Sequence, residues 1–236
     1  MPNEISAIKS LPPVSGRDNR LTTVQQIYTD LRRLIIDLSL TPGTLISKND
    51  IADRYGVSQT PVREALILLE EDGLVDIFPQ SRTEVSRIDI QHAREVHFLR
   101  LSVEIEVARV LSQIIDEEGL KKLKAWIARL TTELEAGDQP SFRLTDNSFH
   151  EEMFRLAGIA GVTRMIERKR GHYDRLRGLY LLEQGRRLNV INEHGEIFKA
   201  LKNHDEEAAE AAVRNHLGKS LAIVDHLRDR HPDFFS

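Results

Sequence analysis

Between positions 47 and 73 the apolar residues form two short helical stripes joined by a glycine turn, and no other stretch restricts the fold as tightly. Ile51 and Ala52 mark the inward face of the first stripe, which Gly56 ends. Val62, Ala65, Leu66 and Leu69 recur at three- and four-residue steps in the second, which Gly73 ends. Ser47 suits the first N-cap and Ser58 or Gln59 the second, while Pro61 fits a first turn, where its missing N–H costs nothing. Upstream, Val24, Ile27, Leu31, Leu34 and Ile35 predict a helix over 22–38, stopped by Pro42-Gly43. Downstream, 74–78 and 83–87, parted by Pro79-Gln80-Ser81-Arg82, read as a short β-hairpin. Three helices followed by a hairpin predict a winged helix-turn-helix.

After Ile88 the strand signal vanishes and helical periodicity continues over 89–115, 116–136, 140–157, 161–183, 185–203 and 205–230. Asp89, Asp116 and Asp205 suit N-caps, and Gly137 and Gly158 suit terminators. The fold expected is mainly α: a winged helix-turn-helix over 22–88, then an all-α six-helix bundle over 89–230 with its own core. Residues 1–21, with Pro12, Pro13, Ser15 and Gly16, read as a flexible tail, and 231–236 as a C-terminal tail.

Composition removes whole classes of function. The absence of cysteine excludes disulfides, thiolate zinc sites and cysteine nucleophiles, so any metal needs nitrogen and oxygen ligands. No apolar run is long enough to span a membrane, and the first twenty residues lack a secretory h-region, so the expected location is cytoplasmic. The net charge of -4 argues against a protein that coats itself in phosphates. From 22 to 87 there are seven bases against ten acids, so DNA binding must rest on a few placed cations.

The run Gly56-Val57-Ser58-Gln59-Thr60-Pro61-Val62-Arg63-Glu64-Ala65-Leu66 carries the chemistry of the first half. Ser58 and Thr60 put hydroxyls and free backbone N–H groups at a helix N-terminus, where phosphates bind. Gln59 and Arg63, four apart, share the exposed face and can reach base edges in a major groove. This run resembles the recognition helix of the GntR family, and the stretch from Pro42-Gly43 to Gly73-Leu74-Val75 is similar to its FadR-type subgroup. The resemblance implies a DNA-binding transcription regulator, not an enzyme, that works as a homodimer on near-palindromic double-stranded operator DNA. Ser58, Gln59, Thr60, Arg63, Asn49 and Arg82 are the candidate DNA contacts. Three of them depart from the usual pattern: Gln59 stands where arginine is common, Asn49 near where a basic or acidic residue is common, and Arg82 where the wing tip is often glycine. Glutamine pairs with adenine and arginine with guanine, so Gln59 is expected to shift base preference at one position.

In the second half, four ionisable residues occupy the apolar phase of their helices, where burial is expensive without a reason. Asp146 and His150 share a face with Phe142, Phe149 and Met153; His194 falls among Val190, Ile191, Ile197, Phe198 and Leu201; His216 falls between Val213, Leu217 and Ile223. Three imidazoles and a carboxylate suit a divalent transition metal ion, zinc foremost, with nickel or manganese as alternatives. On the residues alone, a core in which these groups merely satisfy one another is the competing reading, and a metal-dependent hydrolase on the same cluster is the enzymatic one. Asp146-x-x-Phe149-His150, Glu193-His194 and His216-Leu217 resemble the ligand pattern of the metal-containing FCD domain, the C-terminal half of FadR-type regulators.

Arg100 lies one turn before Glu104, beside Leu99, Val103, Val107 and Val110. It reads either as a surface ion pair or as a clamp for a carboxylate. Resemblance to FCD domains implies the clamp, holding a small organic acid effector that controls operator affinity, most often by releasing DNA as a repressor does. The remaining histidines, His92, His97, His172, His204, His226 and His231, read as surface or packing residues, and Trp126 as core. The run Arg164, Arg168, Lys169, Arg170, Arg175 and Arg177 reads as a solvated helical face, with room for one cavity-lining member.

Overall fold

The computed structural model describes residues 8, 9, 11 and 20–236. The chain divides into two compact units, Met1–Ile90 with Arg228–Ser236, and Gln91–Leu227. It passes between them twice.

The first unit holds α1 (Thr23–Ile36), α2 (Lys48–Tyr55), α3 (Gln59–Glu71), β1 (Val75–Phe78) and β2 (Arg82–Val85). Thr22 opens α1 with a capping box, accepting from the Gln25 backbone while the Gln25 side chain accepts from Thr22. Gly56 leaves α2 at φ +63°, a left-handed value that favours glycine. The strands pair antiparallel from Val75↔Val85 to Phe78↔Arg82. On its other side β2 hydrogen-bonds to the backbone of Gly43, Thr44 and Ile46, which stitches the wing to the segment leading into α2. Ile27, Leu31 and Ile35 from α1 meet Ile51, Val62, Leu66 and Leu69 in one core.

At both ends the described residues pack on the first unit where tails were expected. Most of 1–21 lies outside the described residues, but Ile8 is fully buried in this core, Lys9 pairs with Asp50 at 3.0 Å, and the Arg54 guanidinium donates to the carbonyls of Ile8 and Leu11. At the other end Phe235 is buried and bridges Ile88, with Ile88 N–H donating to the Phe234 carbonyl at 2.7 Å. Burying an isoleucine and a phenylalanine outweighs the freedom a short polar tail would keep.

The second unit is all helix, carried by α4 (Ile90–Ile114), α5 (Glu117–Glu135), α6 (Gln139–Leu156), α7 (Gly161–Glu167), α8 (Gly171–Leu182), α9 (Arg186–Lys202), α10 (Glu206–Ala222) and α11 (Val224–Arg230). Eight helices thus stand where six were expected, because 161–183 and 205–230 each break once. In the first case α7 buries only Ile166 while every residue of α8 from Gly171 to Leu181 is buried. One straight helix cannot lie on the surface and then be enclosed on all sides, so the chain bends at 168–170. The second break falls at Ile223, whose φ of -115° and ψ of 17° leave the helical region. Trp126 is only half-buried, packed along the edge of the core that Leu123, Phe149 and Ile197 share.

Replacing Ile8 with alanine should lower the unfolding free energy by about 2 kcal/mol, at the low end for a buried isoleucine. Urea unfolding of the full chain checks this, and an unchanged midpoint would show that Ile8 does not belong to the core.

Candidate metal centre and nucleic-acid interface

Asp146 and His150 project from one face of α6, His194 from α9 and His216 from α10, and all four are buried. One ligand atom from each lies within 4.8 Å of the others. The Nε2 atoms of His150 and His216 stand 3.1 Å apart, those of His194 and His216 3.3 Å, and His194 Nε2 is 3.5 Å from Asp146 Oδ1. Ligands on a tetrahedral zinc with bonds of about 2.0–2.1 Å are separated by about 3.3 Å, which these three separations match.

The neighbours set the chemistry of the rings. His150 Nδ1 donates to Glu104 Oε2 at 2.6 Å, and His216 Nδ1 to Glu193 Oε2 at 2.9 Å. With the carboxylate oxygen accepting, the lone pair of each ring is left on Nε2. Two lone pairs facing each other across 3.1 Å repel unless a cation or proton lies between them. Phe149 stacks on His194 at 4.1 Å and fixes that ring.

Burial lowers the pKa of all three histidines. His194 falls to about 4; His150 falls well below its ordinary value, with Arg100 adding to burial, and so does His216, with His194 adding. Neutral imidazole is the form a metal binds. Burial alone would raise Asp146, but the Arg177 guanidinium and His194 outweigh it and hold the carboxyl far below the usual range. Arg177 grips both oxygens of Asp146, Nε to Oδ2 at 2.9 Å and Nη2 to Oδ1 at 2.7 Å. Glu193 is pushed up to about 7 by burial.

Arg100 is only 3% exposed, so it is no surface ion pair, yet it does contact Glu104 through Nε. Its Nη1 and Nη2 have no partner among the described residues. Arg100, Glu104 and His150 line a cavity of about 20 Å³ with Phe154, Ile166 and Arg170. That space suits about one water molecule.

The sequence offers Glu104 only as an ion-pair partner of Arg100 and Glu193 only as the neighbour of His194, and the run that includes Arg177 reads there as a solvated face with room for one cavity-lining member. Arg175 and Arg177 are in fact enclosed, at 0% and 2% exposure, and Arg170 is nearly so, because α8 is buried all round. The available signal was their phase: Arg177 recurs four residues after Tyr173 and three before Tyr180.

In the first unit, Ser58, Gln59, Thr60 and Arg63 are exposed along the start of α3, and Asn49 is exposed on α2. Ser58 makes no side-chain cap bond, unlike Thr22 and Ser47, so its hydroxyl and the first N–H groups of α3 face outward. Gln59 Nε2 donates to Asn49 Oδ1 at 2.5 Å. Arg63 has no ion-pair or hydrogen-bond partner among the described residues. Arg82 is not the wing tip: Gln80 takes the left-handed turn at φ +57°, and Arg82 opens β2. The Arg82 guanidinium lies over Phe78 at 4.1 Å and pairs with Glu84 at 2.7 Å.

Comparison with known proteins agrees with this arrangement. Residues 23–85 match the family described as bacterial regulatory proteins, gntR family, and residues 95–219 match the FCD domain. An uncharacterized HTH-type transcriptional regulator in an unstable DNA locus of Streptomyces ambofaciens is 34% identical over 222 residues, 94% of this chain and 92% of that protein. The HTH-type transcriptional repressor RspR of Escherichia coli is 32% identical over 212 residues, 90% and 93% of the two chains. The solved structure of E. coli McbR/YncC shares the fold with a TM-score of 0.70 at 19% identity, covering 89% of this chain and 99% of that one. Fold and relatives together define a winged-helix, DNA-binding transcription regulator with a separate helical C-terminal domain. The chain belongs to the GntR family, with an FCD domain as its second half. These named relatives are regulators, not enzymes, which sets aside the hydrolase reading. Among the described residues, no helix is long and apolar enough to cross a membrane.

Two outcomes test the cluster in chelator-treated protein. Arg177→Met should cost about 3–5 kcal/mol of stability, because it leaves Asp146 buried and unpaired. Separately, the depressed histidines bind protons on unfolding, so stability is held above pH 6.5 and falls as the pH drops toward 4. Each ring contributes up to about 1.4 kcal/mol per pH unit in that window. A urea midpoint that stays level from pH 7 to 5 would contradict neutral, buried rings.

Proposed function

We propose that the chain acts as a homodimer whose operator affinity is set by a small carboxylate-bearing metabolite in the FCD domain. The reading head is taken as 22–88 and the ligand domain as 89–230. Asp146, His150, His194 and His216 would hold a divalent ion, zinc foremost with nickel or manganese as alternatives, which when bound supplies a Lewis-acidic partner for a ligand oxygen.

One observation carries the effector assignment. A guanidinium withdrawn from water with two N-bearing corners unsatisfied is costly, and a carboxylate is the group whose two oxygens match that fork. Since the adjoining cavity holds about one water, an acid can enter only when side chains move apart. A ligand that binds the opened arrangement and not the closed one has the differential affinity that a switch requires.

On the DNA side, Ser58 and Thr60 would meet phosphates, Arg63 and Gln59 base edges in the major groove, and Arg82, at the start of β2, would lie in or near the minor groove. Asn49 occupies one N–H of the Gln59 amide and leaves the other with Oε1, the donor and acceptor that adenine pairs with.

In an anisotropy titration of a selected operator duplex, at least one small organic acid should change wild-type affinity. Arg100→Met should keep the DNA affinity and lose that response; an affinity indifferent to every acid would remove the switch. In a binding selection, Gln59→Arg should move the preferred base at one position from adenine to guanine, a preference worth about 1–3 kcal/mol. The same base chosen by both proteins would exclude Gln59 from readout.

A further inference from the structure

The segment ahead of α1 brings a cation to the reading head from outside the winged helix. Ile8 is fully buried in the core of the first unit and Leu11 packs against it, while the Arg54 guanidinium, on α2, donates to the carbonyls of both. Lys9 is different. Its side chain stays 60% exposed, and its ammonium lies 3.0 Å from Asp50 Oδ1. The hydrogen bond to Asp50, helped by Asp53 one turn further along α2, holds the Lys9 pKa above its ordinary value, so the ammonium stays charged at neutral pH.

Two facts bring that cation to the DNA side of the unit. The helix it meets, α2, is the first of the two in the helix-turn-helix, the one that crosses the sugar–phosphate backbone while α3 enters the groove. The opening residues of α2 also line an open groove of about 320 Å³, where Lys48 and Asn49 share the wall with Gln59, Gln80 and Arg82. Lys9 thus joins α2 at the residue next to Asn49. Charge makes a cation useful there: Asp50 and Asp53 stand one and four positions after Asn49, so acids flank a residue that is to face a polyanion. Arg82, across the same groove, is already committed to Glu84.

Packing does not ask for a lysine at this position. Ile8, Leu11 and the two carbonyl contacts of Arg54 fix the segment, and an ion pair with a half-exposed lysine adds little to stability. An ammonium has three donors, and Asp50 takes one of them.

Resting on the reading of Asn49 and Gln59 as residues that face the duplex, we infer that the segment carrying Ile8, Lys9 and Leu11 is an arm of the reading head, and that Lys9 binds a backbone phosphate of the operator. The ammonium bridges Asp50 and a phosphate oxygen, so an acid that alone would repel the duplex orients a contact to it. Such a contact carries no sequence information; it adds affinity for any duplex and helps fix how the head sits.

The test is an anisotropy titration of the full-length protein onto a selected operator duplex and onto a scrambled duplex of equal length and composition, at salt from about 50 to 200 mM. Lys9→Gln should weaken both complexes by a similar factor, about three- to tenfold, and make the fall of log affinity with log salt shallower by about one. Lys9→Arg should keep both. Ile8→Asp, which undocks the arm, should reproduce the loss, and adding Lys9→Gln to it should change nothing further. Melting curves show whether Ile8→Asp folds, and Lys9→Gln, at an exposed position, decides where it does not. Unchanged affinity and salt slope in Lys9→Gln, with the operator still preferred, overturns this inference and leaves the assigned reading residues standing. A loss confined to the operator marks a base contact and overturns the phosphate assignment. A selection that recovers no preferred duplex for wild type overturns the reading of Asn49 and Gln59, and the arm with it.

Discussion

A carboxylate held against a guanidinium out of reach of water, Asp146 on Arg177, is the contact on which the helical half depends. Each ion alone would cost several kcal/mol to bury, and their attraction offsets this only because both oxygens are engaged by the guanidinium. A well-packed apolar pair would have stabilised the bundle at least as well. What the apolar pair could not do is hold a negative oxygen 3.5 Å from His194 Nε2, in the middle of three neutral imidazoles. The charge pair therefore makes sense as the means of keeping an anionic ligand atom ionised inside a core, not as a source of stability.

The same logic runs through the second buried pair. Glu104 is shared: one oxygen meets Arg100 and the other receives the His150 Nδ1 proton. Whatever approaches the free edge of Arg100 thus acts on a carboxylate that also orients a ring of the metal cluster. If the cluster holds an ion and the Arg100 edge takes an acid, as proposed, the shared carboxylate would couple the two at contact range, and thermodynamic reciprocity would make the effect of each on the other's affinity equal. No long pathway of side chains is needed, because the chain of contacts is three residues long.

How much of this was legible in the sequence depended on what kind of force decides each feature. The winged helix-turn-helix was readable because caps, a left-handed glycine and a period-three-to-four stripe act within a few residues. Asp146, His150, His194 and His216 were readable as polar residues in apolar phase, and the structure brings them together. The breaks at 168–170 and at Ile223 were not readable, since both halves of each segment keep helical periodicity and no proline marks the bend. Arg177 was missed for a related reason. Polar residues on a helix are normally outside, and although Arg177 shares the phase of Tyr173 and Tyr180, it is the enclosure of α8 on every side that makes Arg175 and Arg177 interior groups. The buried Ile8 shows the reverse limit: a segment carrying Pro12, Pro13 and Gly16 reads as a tail, yet the core on which Ile8 docks is made by helices that start more than ten residues later.

The charge of the first unit raised the opposite difficulty, for an excess of acids seems to repel the very polymer it must bind. The structure dissolves that conflict by position. Asp72 is taken up by Tyr28 and Arg32, Asp30 by Tyr55, Asp37 by Arg33, Asp50 by Lys9 and Glu84 by Arg82, so much of the negative charge is spent inside the unit. Arg63 stands exposed on α3 without such a partner, next to the uncapped N–H groups of the same helix. A phosphate within a Debye length of about 8–10 Å responds to those local charges and dipoles and only weakly to acids across the fold. Such a surface gains little from long-range attraction and must rely on fit at close range, which favours binding to the right sequence over binding to any duplex.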